Sequence, residues 1–161
     1  MEERARGGFR REGKKMNPRR DAEFRLKLAE GFLTETEQDI GLARWRSCVD
    51  NAQRTVENAA KAVLAMRGPV PKVHQLKGAL MKLVDDPALR RLREDIAALE
   101  EVAERLGFEE HIRTGYGDES HYLTPWDIFD QEAAEEAVSL ARRAYDTARK
   151  IIEKWPHRKK K

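Results

Sequence analysis

Arg44 to Met66, RWRSCVDNAQRTVENAAKAVLAM, runs without proline or glycine and is followed directly by Arg67, Gly68 and Pro69. Within it Trp45, Cys48, Val49, Ala52, Val56, Ala59, Ala60, Val63 and Met66 recur at spacings of three and four. At 3.6 residues per turn they fall within one arc of about 120°. The spacing predicts an amphipathic helix about 33 Å long. Gly68 can take the left-handed conformation that closes a helix, and Pro69 cannot continue one. A helix of this length crosses a whole small domain, and a stripe this wide needs other helices to cover it.

The chain has 161 residues, 40% of them apolar and 38% charged. That suits one domain with a real core and most helix faces in water. No apolar run approaches the roughly 18 residues of a membrane span, and no hydrophobic segment follows the N-terminal arginines as it would in a signal peptide. A soluble, cytoplasmic protein is expected. Cys48 is the only cysteine, which leaves no disulfide and no cysteine metal site. Its place on the apolar stripe predicts a buried, inert thiol.

The formal net charge of +3 is unevenly spread. Residues 1–20 hold eight Lys/Arg against Glu2, Glu3 and Glu12, and residues 156–161 add four cations, so the ends carry +5 and +4. Residues 21–155 therefore carry −6. The basic character belongs to the tails, which can bind polyanions non-specifically, and the body offers no basic groove.

Residues 1–20, with Gly7, Gly8, Gly13, Pro18 and dense charge, read as a flexible basic arm. From Asp21, a plausible N-cap, Phe24, Leu28 and Phe32, with Leu26, Leu33 and Ile40 beside them, predict a first helix to Ile40. After the Arg44–Met66 helix, GPVP is a rigid extended connector. Val73, Leu76, Leu80 and Leu83 mark a short third helix from Lys72 to Val84. Asp86 and Pro87 then start a fourth, whose stripe runs through Leu89, Leu92, Ile96, Leu99, Ala103 and Leu106 to Gly107. The alanine-rich last helix spans Asp130 to Trp155. Five helices with short links predict an all-α, antiparallel up-and-down bundle over residues 21–155, followed by a basic tail, 156–161. The interruption from Gly107 to Asp130 is the anomaly, because long loops in compact domains are usually functional. Within it Thr124, Pro125 and Asp127 look like the start of a helical turn.

Four features in this order resemble the HEPN family: the helix ending VENAAKAVLAMRG, the segment VHQLKGAL entering the short helix through His74 and Leu76, the Tyr116-Gly117-Asp118-Glu119 turn, and the final helix EAAEEAVSLARRAYDTARKII. The resemblance covers residues 21–155. It implies a homodimeric helical bundle that binds a nucleotide, often beside a small nucleotidyltransferase partner, and in some members a metal-independent, toxin-type ribonuclease. Those ribonucleases carry an arginine and a histidine four to six residues apart, and here only Arg105 and His111 have compatible spacing. The arginine would neutralise phosphate charge while the histidine moves a proton. Leu106, on the apolar stripe, stands where the family's motif has a polar residue.

The residues themselves point to the same loop. Arg113 suits a phosphate, Tyr116 a base, Asp118 a ribose hydroxyl, and His121 lies beside them. His111, His121 and Asp118 match no metal-ligand spacing, and no cofactor is expected. Asn51, Thr55 and Asn58 share one edge of the central helix and either face a partner copy or a cleft or are ordinary polar residues at the boundary of the core. The sequence thus predicts a module that dimerises and binds a nucleotide, a nucleotidyltransferase partner, or both, without catalysis. A ribonuclease using Arg105 and His111 is the alternative.

Overall fold

The computed structural model describes residues 17–72, 76–107 and 113–157. Among these, five long α-helices appear: α1 Pro18–Gly41, α2 Trp45–Ala65, α3 Leu76–Val84, α4 Arg93–Arg105 and α5 Gln131–Glu153. Two short helical segments, 113–116 and Pro125–Ile128, bring the α-helical segments to seven rather than five. No strand occurs among the described residues, only one antiparallel bridge between Asp118 and Leu123. The bundle is all-α, and the expected loop is itself partly helical.

α1 starts earlier than Asp21. Asn17 is its cap, accepting from the Arg20 amide, and Pro18 fills the first turn, where its missing N–H costs nothing. The buried face centres not on Phe24, Leu28 and Phe32 but on the line beside them, where Leu26, Leu33 and Ile40 pack against the core. Ala22, Ala29, Thr36 and Asp39 are buried while Phe24 is 60% exposed. The alanines let α1 lie close to its neighbours, a gain that period counting on bulky residues misses.

α2 buries 13 of its 21 residues. It is sheathed on nearly every side, by α1 and α5 above all, so the wide stripe is covered within one chain. Asn51 donates to Asp39, Thr55 to the Asn51 carbonyl and Asn58 to the Arg54 carbonyl. The polar edge of the helix is thus hydrogen-bonded within the chain. α2 ends as the Met66 and Arg67 amides tighten onto the Val63 and Leu64 carbonyls. Gly68, at φ 156°, does not adopt the left-handed helical value.

Side-chain pairs fix the helix directions. Arg142 meets Glu37, Tyr145 meets Glu30 and Arg19 reaches the Ile152 carbonyl, so α1 and α5 are antiparallel. Cys48 lies against Thr36 and Arg54 over Phe32, so α1 and α2 are antiparallel too. α4 opposes α5 through Arg105–Glu136 and Lys150–Asp95, and α3 through Lys77–Glu104 and Arg93 on the Val84 carbonyl. It follows that α2, α3 and α5 run one way, and α1 and α4 the other. The expected alternating order fails at α3, because the proline-stiffened connector after α2 returns along the bundle before α3 starts. Between α3 and α4, Pro87–Leu92 is a 3-10 turn capped by Asp86, with Leu89 and Leu92 buried.

Candidate functional site

One end of the bundle collects the α1–α2 turn, the start of α2 and the chain from Arg113 to Asp130. α1 closes at Gly41, and the turn passes through Ala43 at φ 56°. An alanine in the left-handed region is strained. It is held there by the amides of Leu42 and Arg44, both bonded to the Asp39 carbonyl, and by the Ala43 amide on Ile40. The Asp39 carboxylate is buried and accepts from Ser47 Oγ at 2.7 Å and Asn51 Nδ2 at 2.8 Å. Ser47 is thereby committed to α1, and Arg44, at the N-cap of α2, makes no capping bond with its side chain.

Arg46 points the other way. Its Nη1 donates to the Thr114 carbonyl at 3.0 Å, and its guanidinium lies 5.4 Å from the centre of the Trp126 ring. Thr114 is buried, and its hydroxyl donates to Asp50 at 3.0 Å. The first two turns of α2 therefore hold the loop at residue 114. Trp126 is carried by Pro125–Ile128, where Thr124 and Asp127 form a reciprocal capping box. Backbone and hydroxyl bonds from Thr124 hold the Asp127 carboxyl below its ordinary range. Trp126 remains 72% exposed while Phe129 behind it is buried. Between them lies a hollow of about 430 Å³ lined by Ala43, Arg44, Trp45, Arg46, Ser47, Trp126 and Phe129.

The expected loop residues flank this hollow in sequence but are used differently. Arg113 is half-buried and Tyr116 is 76% exposed, both in the helical segment 113–116. Asp118 accepts from Ser120 Oγ at 2.6 Å and from the His121 amide, and pairs with His121 Nδ1 at 2.9 Å. These bonds, the Ser120 hydroxyl first, hold its carboxyl down to about 2. The carboxylate is a turn former here. Gly117, at φ 75°, allows the turn to close, because a Cβ there would strike the Leu123 carbonyl. Arg105 lies at the other edge of the loop, bonded to Glu136 at 2.6 Å, with Leu106 buried beside it. His111 and His74 lie outside the described residues.

The model of the HEPN domain matches residues 22–152. The chain belongs to this family. The match takes in all five long helices of this HEPN bundle and the loop before α5. Among solved structures, the crystal structure of TT1696 from Thermus thermophilus is similar at 25% identity and a TM-score of 0.58. The likeness covers 80% of this chain and 96% of that one. No curated protein matches the chain.

Sequence reasoning missed Arg44, Arg46 and Trp126. The signal was present in the RWR start of α2 and in the tryptophan just after a capping box, two features that only the fold joins. Cys48 is buried as expected, and burial, then Asp39, push its thiol up to about 12. Among the described residues no group of three or more His, Cys, Asp or Glu is placed to hold a metal, and no helix is long and apolar enough to cross a membrane.

Proposed function

We propose that this HEPN bundle is a non-catalytic binding module that dimerises and takes a nucleotide at its loop-bearing end, where a small nucleotidyltransferase also docks. The observation that carries the reading is the hollow flanked by Arg44, Arg46 and Trp126. An exposed indole offers a face for a base, and Arg44, exposed at the start of α2, offers a forked donor for phosphate. Arg113 and Tyr116 extend the same kind of surface along the loop. Arg46, already spent on Thr114 and Trp126, sets the position of the ring.

The dimer is proposed through apolar groups the monomer leaves open, Leu42, Tyr122 and Leu123, which are 62%, 93% and 43% exposed. The central helix itself is sheathed and offers no such face. The ribonuclease reading is weaker because Arg105 is engaged by Glu136 rather than available to a phosphate. Titrating AMP, ATP and GTP into the purified protein by calorimetry tests the nucleotide reading. Binding that weakens on Trp126→Ala supports it, and no binding of any of the three removes it. Toxicity on expression that His111→Ala relieves would instead favour the ribonuclease.

A further inference from the structure

Far along α2 from the nucleotide hollow, a second one of about 230 Å³ opens between α2, α3 and α4. Val56, Ala60, Leu76, Ala103 and Leu106 make it largely apolar. Gln53 lines it with 2% of its surface exposed, and its Oε1 has no hydrogen-bond partner among the described residues. Buried amide oxygens are rarely left so. The other polar groups around the hollow are paired with one another. Gln53 Nε2 donates to Glu57 at 3.3 Å, Lys61 donates to Glu57 at 2.7 Å, and Lys77 bridges α3 to Glu104 of α4 at 2.9 Å across the rim.

A water on Oε1 would face mainly apolar walls and the already paired Glu57, Lys77 and Glu104, whereas an ordered buried water typically has about three polar partners. A dry cavity of about 150 Å³ accommodates benzene, so this one has room for a fused bicycle. We infer that the hollow between α2, α3 and α4 is a binding site for a small, flat, neutral heteroaromatic molecule that donates one N–H to Gln53 Oε1. The last torsion of a glutamine is soft, so a small turn of the amide brings the oxygen to the floor of the hollow. The bicycle then lies against Val56, Ala60 and Leu106, and the Lys77–Glu104 pair closes over it.

Indole and benzofuran separate shape from donor, because they match in size and only indole carries an N–H. Protein-observed NMR on the full chain should show indole shifting the Val56, Ala60 and Leu76 methyl resonances. Its affinity should exceed that of benzofuran about tenfold, the usual worth of one buried hydrogen bond. Gln53→Leu, which retains the side chain's bulk, should erase that difference without lowering the melting temperature. Ala103→Leu, at the edge of the hollow, should abolish both ligands' binding, and Trp126→Ala should leave both unchanged. Equal affinities for the two ligands, absence of indole binding, or cross-peaks between the Phe108 ring and the Val56 methyls in the ligand-free protein would overturn the proposal.

Discussion

Replacing Asp39 tests how the nucleotide-proposed end of the bundle is held. Its carboxylate is buried and accepts two side-chain hydrogen bonds, from Ser47 at 2.7 Å and Asn51 at 2.8 Å, both from α2. Bonds to a charged acceptor contribute about 1.5–3 kcal/mol each. Ser47 and Asn51 are half-buried, so water replaces part of what is lost and the low end applies. Asp39→Ala should therefore cost about 3 kcal/mol, which for a chain of this size lowers Tm by roughly 6–12 °C. Asp39→Asn should cost less than Asp39→Ala, because Ser47 and Asn51 both donate to the same oxygen, Oδ2, and an amide oxygen placed there still accepts from both, losing only the charge. The Cys48 thiol should also fall from about 12 in Asp39→Ala, while staying above its ordinary value because burial is the larger cause of its shift. Circular dichroism melts and urea titrations measure the first effect, and thiol titration the second. A loss below about 1 kcal/mol for Asp39→Ala would refute the reasoning, as it would mean solvent already satisfies Ser47 and Asn51.

The remaining predictions concern the loop, the tails and assembly. Gly117→Ala should destabilise the protein by about 1–3 kcal/mol, since it adds strain at φ 75° to a clash with the Leu123 carbonyl, and urea unfolding reads it. The Asp118 carboxyl is depressed to about 2, so the turn's added stability is complete above the ordinary carboxylate range, near pH 4, and is lost as pH falls toward 2; amide shifts of Glu119 to His121 should track this and be absent in Asp118→Asn. Deleting residues 1–16 and 158–161, which spares the Asn17 cap and α1, should abolish RNA binding at low salt; undiminished binding would show that a local surface outweighs the acidic body. Sedimentation at tens of micromolar should show a dimer that Leu123→Ser weakens, and a wild-type monomer would remove that proposal.

Much of the fold could be read from periodicity, and the departures share a cause. α2 and α5 announced themselves because apolar residues, alanines among them, recur at helical spacing over more than five turns with charged residues between. In α1 the line of Leu26, Leu33 and Ile40 does pack on the core, but Phe24 is exposed, and the deepest positions are Ala22 and Ala29, whose burial leaves little mark in a hydrophobic pattern. The direction of α3 was not legible, since a proline-rich connector reveals that it is extended but not which way it runs. In the loop, the Thr124–Asp127 capping box was visible as a local motif. The hollow beside it was not, because Arg46 meets Trp126 only through a contact about eighty residues apart in the chain. Asp118 and His121, residue types that suit a ligand, are bonded to each other within a turn, a pairing that spacing alone did not reveal.

The central claim is that a nucleotide sits at the end of the bundle, between the start of α2 and the loop before α5. Calorimetric titration of whichever of AMP, ATP or GTP binds, into wild type, Arg44→Ala, Trp126→Ala and Arg113→Ala, tests it most directly. Each arginine substitution should weaken binding by about 1–3 kcal/mol through a lost charged hydrogen bond, and Trp126→Ala by about 1–3 kcal/mol through lost stacking, with Tm little changed. Nucleotide binding that all three variants retain at wild-type affinity would contradict the account and place the site elsewhere on the molecule.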